Sequence, residues 1–217
     1  MPVELSWLGH SCFRLRGRDV TIVTDPYAGD DWQYPTLSLT ANLVTVSNQH
    51  PHHSAVAGIG GKPRVIRGPG EYELGGALIM GVRTARLSQP AAGASVRNTA
   101  YVIQLEELSI CHLGDLGRPL TSEQLTLIKD SDVVLVPVGG HCTISASEAA
   151  AVVAQIEPKL IVPMHYATEE TRGHLELDGV ERFCREMGAA EVKPQARLNV
   201  SASSVPGEPT VVLLERR

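Results

Sequence analysis

The spacing of apolar runs changes once along this chain, near Asp115, and that change limits the available folds more than any other feature. Before it, residues 3–7, 12–15, 20–24, 43–47, 64–66, 77–82, 99–105 and 108–112 form short apolar runs that read as strands. Turn residues separate them, as in Arg67-Gly68-Pro69-Gly70, Gly75-Gly76 and Glu106-Glu107. After it, helix and strand alternate. Thr121-Ser122-Glu123-Gln124 is a capping box that opens a helix ending near Asp130, and 133–138 is a buried strand. Ser145-Ala146-Ser147-Glu148 is a second capping box, opening an alanine-rich helix that Pro158 terminates before a strand at 160–163. A helix over 178–187 closed by Gly188, a Ser-rich loop at 200–206 and a last strand at 209–214 complete the expectation. This is an α/β pattern of two strand-rich halves, which suggests sheets packed face to face with helices outside but does not by itself select that layout.

The 217 residues suffice for one sizeable core, so a single domain over 1–217 is expected. A net charge of -5 and the absence of any Lys/Arg run disfavour a nucleic-acid partner and favour a small-molecule substrate or anionic ligand. The beginning of the chain resembles no secretory signal, and no stretch is long enough to span a bilayer, so a cytoplasmic location without membrane contact is expected. Homo-oligomerisation stays open. Cys12, Cys111, Cys142 and Cys184 are scattered and read as free thiols, with Cys12 and Cys111 as buried apolar residues in strands.

Three of the eight histidines crowd into His50-Pro51-His52-His53, directly after a strand. Imidazoles on one loop can converge on a cation, with zinc the common guest, and Pro51 stiffens the loop. His112-Leu113-Gly114-Asp115 and Pro163-Met164-His165-Tyr166 also follow strands. A histidine cluster, a carboxylate and a distant histidine, each at a strand exit, are the groups with which a metallohydrolase holds a cation and activates water. Glu71 and Glu73 would share one face of a strand, and a charged structural turn is preferred over an acid/base pair there.

The succession of Trp7-Leu8-Gly9-His10-Ser11, Thr24-Asp25-Pro26, the His-rich loop, Gly68-Pro69-Gly70-Glu71-Tyr72-Glu73, His112-Leu113-Gly114-Asp115 and Pro163-Met164-His165-Tyr166 resembles the metallo-β-lactamase superfamily. The similarity is to its branch of ascorbate-6-phosphate lactonase-like proteins and zinc-dependent hydrolases. It implies a four-layer αββα sandwich and a metal-dependent hydrolase. It also shows departures. The family loop reads His-x-His-x-Asp-His, whereas this chain has Asn48-Gln49-His50-Pro51-His52-His53. By that resemblance Asn48 replaces a ligand of the first metal, His52 replaces the carboxylate of the second, and Arg86 stands where the first site has a further histidine. Ser145, where the family often has Asp, reads as a helix cap.

The resemblance leaves the first metal position only His50 and the shared Asp115, which become the catalytic candidates. The second keeps His53, Asp115 and His165, with His52 as a fourth, enough for one divalent transition metal of the zinc type. His10 and Asp25 are expected to orient ligands through hydrogen bonds, with a core role for His10 nearly as good a reading. His112 reads as structural and His174 as a surface residue. His141 follows Gly139-Gly140 near the site, where it would replace a lost ligand or donate a proton. Arg86, His141 and Asn48 are the substrate-binding candidates. The leading expectation is a mononuclear hydrolase of a small ester, lactone or phosphorylated metabolite. The alternative is a non-catalytic relative that binds a small anion, with a nuclease third.

Overall fold

The computed structural model describes residues 1–28, 34–87, 97–171 and 176–217. Its strands are β1 (Val3–Gly9), β2 (Cys12–Arg16), β3 (Thr21–Thr24), β4 (Leu39–Thr40), β5 (Leu43–Val46), β6 (Ile59–Gly60), β7 (Arg64–Arg67), β8 (Gly70–Leu74), β9 (Ala77–Ala85), β10 (Arg97–Leu105), β11 (Leu108–His112), β12 (Val133–Pro137), β13 (Leu160–Met164), β14 (Leu198–Val200) and β15 (Thr210–Val211). The helices are α1 (Pro51–Ser54), α2 (Ser122–Ile128), α3 (Ala146–Ile156) and α4 (Val180–Glu186).

One sheet has the order β14-β1-β2-β3-β5-β7 and the other β15-β13-β12-β11-β10-β9-β8. Their inner faces share one core. Leu5, Phe13, Ile22 and Leu43 from the first sheet join Ile79, Tyr101, Ile103 and Ile110 from the second, each such burial stabilising the fold by roughly 1.5–3 kcal/mol. Tyr101 crosses the gap and donates its hydroxyl to Val46 O at 3.0 Å. The outer face of the second sheet is covered by helices, which explains why every residue of β12 and β13 is buried. Over the outer face of the first sheet, Tyr27, Tyr34, Leu37 and Ile59 pack on Val23 and Val44. That layer holds the two-stranded parallel sheet of β4 and β6 and otherwise, among the described residues, short turns and irregular chain.

Both predicted capping boxes form, at Thr121 with Gln124 and at Ser145 with Glu148. Three local expectations need correction. Gly70–Leu74 is a strand, with Glu71 and Glu73 exposed on one of its faces, because the Gly75-Gly76 turn pairs it with β9. The 200–206 stretch opens with the end of β14 and holds a 3-10 turn at Ala202–Ser204, since Val200 pairs with Val3 on the sheet edge. The last strand shrinks to Thr210–Val211, followed only by isolated bridges at Leu214 and Arg216.

Sheet polarity places the site. β1, β3 and β5 run in one direction in their sheet, and β9, β11, β12 and β13 share a direction in theirs. Hydrogen bonds from His165 N to His10 O and from Thr99 N to Ser47 O tie the exits of the two sheets together at one edge. Open α/β sheets build their sites outside such carboxyl ends.

Candidate metal centre

The groups of the site sit at these exits. His10 follows β1, Asp25 follows β3, the His50 loop follows β5, Arg86 follows β9, Asp115 follows β11, Cys142 follows β12 and His165 follows β13. Four of the residues that turn the chain here, His10, Asp25, His141 and His165, hold left-handed φ values of 51°, 40°, 56° and 55°. Such backbone is costly for residues with a Cβ and persists where the surrounding structure enforces it.

The His-rich loop is a short helix, with Pro51 in its first turn and His50 as N-cap accepting the His52 N–H at 3.3 Å through Nδ1. The carboxylate of Asp25 anchors that loop. Its Oδ1 accepts from Ser47 N at 2.7 Å, and its Oδ2 lies 2.7 Å from His53 Nδ1. That contact assigns the proton to Nδ1 and leaves the Nε2 lone pair of His53 on the Asp115 side, 3.7 Å from Oδ2.

Asp115 is fully buried. Its backbone N–H is held by Asn98 Oδ1 at 2.9 Å, and Gly114 before it adopts φ +62° where an added Cβ would come within 2.5 Å of Asn98 and Ser47. Its Oδ2 accepts from Arg86 Nε. Its Oδ1 has no hydrogen-bond partner among the described residues, and His165 Nδ1 lies 3.6 Å from it. Burial by itself would raise this carboxyl, but His165, His53 and Arg86 outweigh it and hold it below the usual range. Arg86 is the permanent charge among them.

His165 is pushed down to about 3, first by burial. Its ring stacks on His10 at 3.7 Å between centroids, Ser11 Oγ lies 3.2 Å from Nδ1, and Cys142 Sγ lies 3.6 Å from Nε2. Burial likewise drives His52 to about 3 and His10 well below its ordinary value. The Cys142 thiol is raised to about 12, mainly by burial and then by Asp115. These imidazoles are therefore neutral donors at neutral pH, the state that binds cations.

A cleft of about 350 Å³ opens over these groups, bringing His50, His52, Arg86 and His141 to the same lining as Asp115 and His165. Two sets of donor atoms lie mutually within 4.8 Å, namely His10 with His53 and His165, and Asp115 with Cys142 and His165. His52 joins neither set among the described residues; its ring faces His50 at 4.4 Å and His10 at 6.0 Å. Asn48 lines a neighbouring cleft with Arg67, Arg83 and Asn98, and its Oδ1 accepts from His50 N at 2.9 Å, so it braces the loop. His141 stands at the rim, half exposed, 3.8 Å from Asp178 Oδ1. His112 has the structural place expected, with Nε2 2.8 Å from Ser11 O. His174 lies outside the described residues. Sequence reading missed Cys142 and gave His10 an orienting or a core role; the strand exit before Gly139-Gly140 was the signal for the thiol.

The donors present fit a small transition cation: neutral imidazole, carboxylate and thiol, with one buried carboxylate oxygen unsatisfied. Comparison with known proteins agrees on the ancestry. The family model for the beta-lactamase superfamily domain matches residues 4–165. A "UPF0173 metal-dependent hydrolase" of Methanoculleus marisnigri is 31% identical over 193 residues, covering 76% of this chain and 82% of that one. Another of that name, from Methanoregula boonei, is 26% identical over 190 residues, covering 77% and 84%. A crystal structure from Thermotoga maritima, named for a candidate Zn-dependent hydrolase of the metallo-beta-lactamase superfamily, superposes with a TM-score of 0.78 at 36% identity, covering 98% of each chain. The two facing sheets, the donors at their common edge and these matches agree that the chain belongs to the metallo-β-lactamase superfamily.

Proposed function

We propose that the chain is a hydrolase working with one divalent cation, zinc by donor chemistry, on a small ester, lactone or phosphorylated metabolite in the cytoplasm. The observation that carries this reading is Asp115, which is buried with one oxygen held by Arg86 and the other without a hydrogen bond beside His165. Leaving a buried charged acceptor unsatisfied costs more than the roughly 1–3 kcal/mol of a neutral group, and a cation removes that cost. Asp115 and His165 form the core of the site and His53 flanks it. When bound there, a zinc ion supplies Lewis acidity towards a carbonyl or phosphoryl oxygen and lowers the pKa of water.

The chain's own residues do the rest. Asp25 fixes His53 so that its Nε2 faces Asp115. Arg86 keeps its terminal nitrogens for an anionic substrate oxygen, and its charge opposes a second cation, by roughly 4 kcal/mol per unit charge at about 4 Å and an effective dielectric near 20. His50 and His141 line the mouth of the cleft.

Elemental analysis of protein purified without chelator, with assays on phosphodiesters, lactones and β-lactams, tests the reading. One metal per chain and slow hydrolysis abolished by Asp115→Ala are expected. Activity surviving both that substitution and chelation rejects it, and two metals at full occupancy reject the mononuclear part. The direct Arg86–Asp115 contact favours a second reading, a non-catalytic binder of small anions, which predicts phosphate binding that chelation leaves unchanged.

A further inference from the structure

The loop after β12 turns tightly. An added Cβ on Gly139 would stand 2.2 Å from His165 O, so the loop lies directly against the exit of β13. Gly140 and His141 both adopt left-handed backbone, at φ +65° and +56°, and the N–H groups of Cys142 and Thr143 return to Gly140 O at 2.7 and 3.1 Å. Ile144 N then bonds Leu116 O at 2.9 Å, fastening the turn to the chain just beyond Asp115. The consequence is an exchange of roles between neighbours. His141, the residue expected from sequence to replace a lost ligand, faces the rim, and Cys142 faces the donors.

We propose that Cys142 is a metal ligand and that Asp115, Cys142 and His165 together bind the cation, an assignment that rests on the hydrolase reading above. Three observations support it. The three donor atoms lie mutually within 4.8 Å. The buried Asp115 Oδ1 has no hydrogen-bond partner among the described residues and lies 3.6 Å from His165 Nδ1. The 3.6 Å between Cys142 Sγ and His165 Nε2 is the spacing of two ligands on one tetrahedral zinc, roughly 3.5 Å for bonds of about 2.3 and 2.0–2.1 Å.

Charge points the same way. His52 and Asn48 are neutral, Asp25 is engaged with Ser47 and His53, and Arg86 adds a positive charge beside Asp115. A thiolate supplies the second anionic donor that the site otherwise lacks. On binding, the S–H bond breaks, a sulfur–metal bond forms and the proton leaves to solvent, with no change of oxidation state. Three protein donors leave a coordination position open, the arrangement of catalytic rather than structural zinc. His53, outside this set, remains beside Asp115 Oδ2.

The test uses the full chain loaded with one equivalent of Co(II). Wild type is expected to show a near-ultraviolet thiolate-to-cobalt charge-transfer band that Cys142→Ser and Cys142→Ala both lose, with Zn(II) affinity falling by more than the roughly tenfold to hundredfold typical of supporting residues. Zn(II) is also expected to protect Cys142 of the unmutated protein from iodoacetamide, measured by peptide mass, which needs no variant to fold. One bound metal with no such band and no protection overturns the thiolate assignment and leaves the hydrolase reading standing. A band that persists in both variants assigns the sulfur to another cysteine and also overturns it. No metal binding by wild type removes both.

Discussion

Arg86 and Asp115 form an ion pair in which only one carboxylate oxygen is used, Nε donating to Oδ2 while Oδ1 is left to the donor side of the cleft. One side of the carboxylate therefore faces a fixed positive charge, and the other oxygen faces His165. By the family resemblance the first side is where a histidine would help hold another metal. At that position the Arg86 guanidinium supplies a positive charge beside Asp115.

The pair sets the first prediction. Asp115 is buried and the Arg86 side chain is only 13% exposed, so breaking the contact leaves a charge uncompensated. Arg86→Met should lower the unfolding free energy of chelator-treated protein by about 3–5 kcal/mol. Excess Zn(II) should recover more stability in the variant than in wild type, because the freed oxygen gains a partner. Urea denaturation of both proteins with and without Zn(II) measures this, and a variant as stable as wild type without metal contradicts it.

Asp25 carries the second. Its carboxylate satisfies Ser47 N, Ser47 Oγ and His53 Nδ1 in a fully buried position. Asp25→Ala leaves these groups unpaired at about 1–3 kcal/mol each, so a total loss above about 3 kcal/mol is expected. The His53 ring should also lose its fixed orientation, visible as averaging of its NMR imidazole signals. Sharp, unshifted signals would show that packing, not Asp25, orients the ring.

The third concerns pH. His52 and His165 have folded values near 3, below the ordinary 6.5, and burial lowers His10 and His112 as well. Between about 6.5 and 3 the unfolded chain binds these protons and the native chain does not, so stability falls as pH drops through that window. Asp115, held low, adds loss in the same direction at the acidic end. Metal-free protein should unfold at a clearly lower urea concentration at pH 5 than at pH 7.5. Equal midpoints would mean that these rings are protonated in the native state.

Much of this was legible in the residues. The paired capping boxes, the strand that ends at His112 and the apolar runs of β12 and β13 are local patterns, and each formed where the spacing placed it. Asp115 and His165 were readable because each follows such a strand. Cys142 was not, because its direction depends on Gly139 lying against His165, a contact between strands that are adjacent only in the folded sheet. The demotion of His52 has a similar cause. Pro51 starts a helical turn, and successive residues of a helix point about 100° apart, so His53 turns to Asp25 and Asp115 while the His52 ring lies beside His50 and His10. The family resemblance put Arg86 at the metal position that Asp115 shares, and the shared direction of β9 and β11 is what brings residues 86 and 115 together.

That placement of Arg86 depends on a glycine, which yields the last prediction. Gly117 N donates to Ala85 O at 2.8 Å, and a Cβ on Gly117 would stand 1.9 Å from Leu87 N and 2.4 Å from Arg86 C. These are backbone atoms, so the clash cannot be relieved by a side chain turning away. Gly117→Ala must push the chain at 86–87 off the segment after Asp115, at a cost of about 1–3 kcal/mol for overpacking. If the glycine acts by holding Arg86 in reach of Asp115, its effect and that of Arg86→Met overlap. The double variant should then be more stable than the sum of the two single losses predicts, by on the order of 1 kcal/mol, as expected for residues acting on one contact. Strict additivity in urea denaturation would show that Gly117 supports the fold without positioning Arg86.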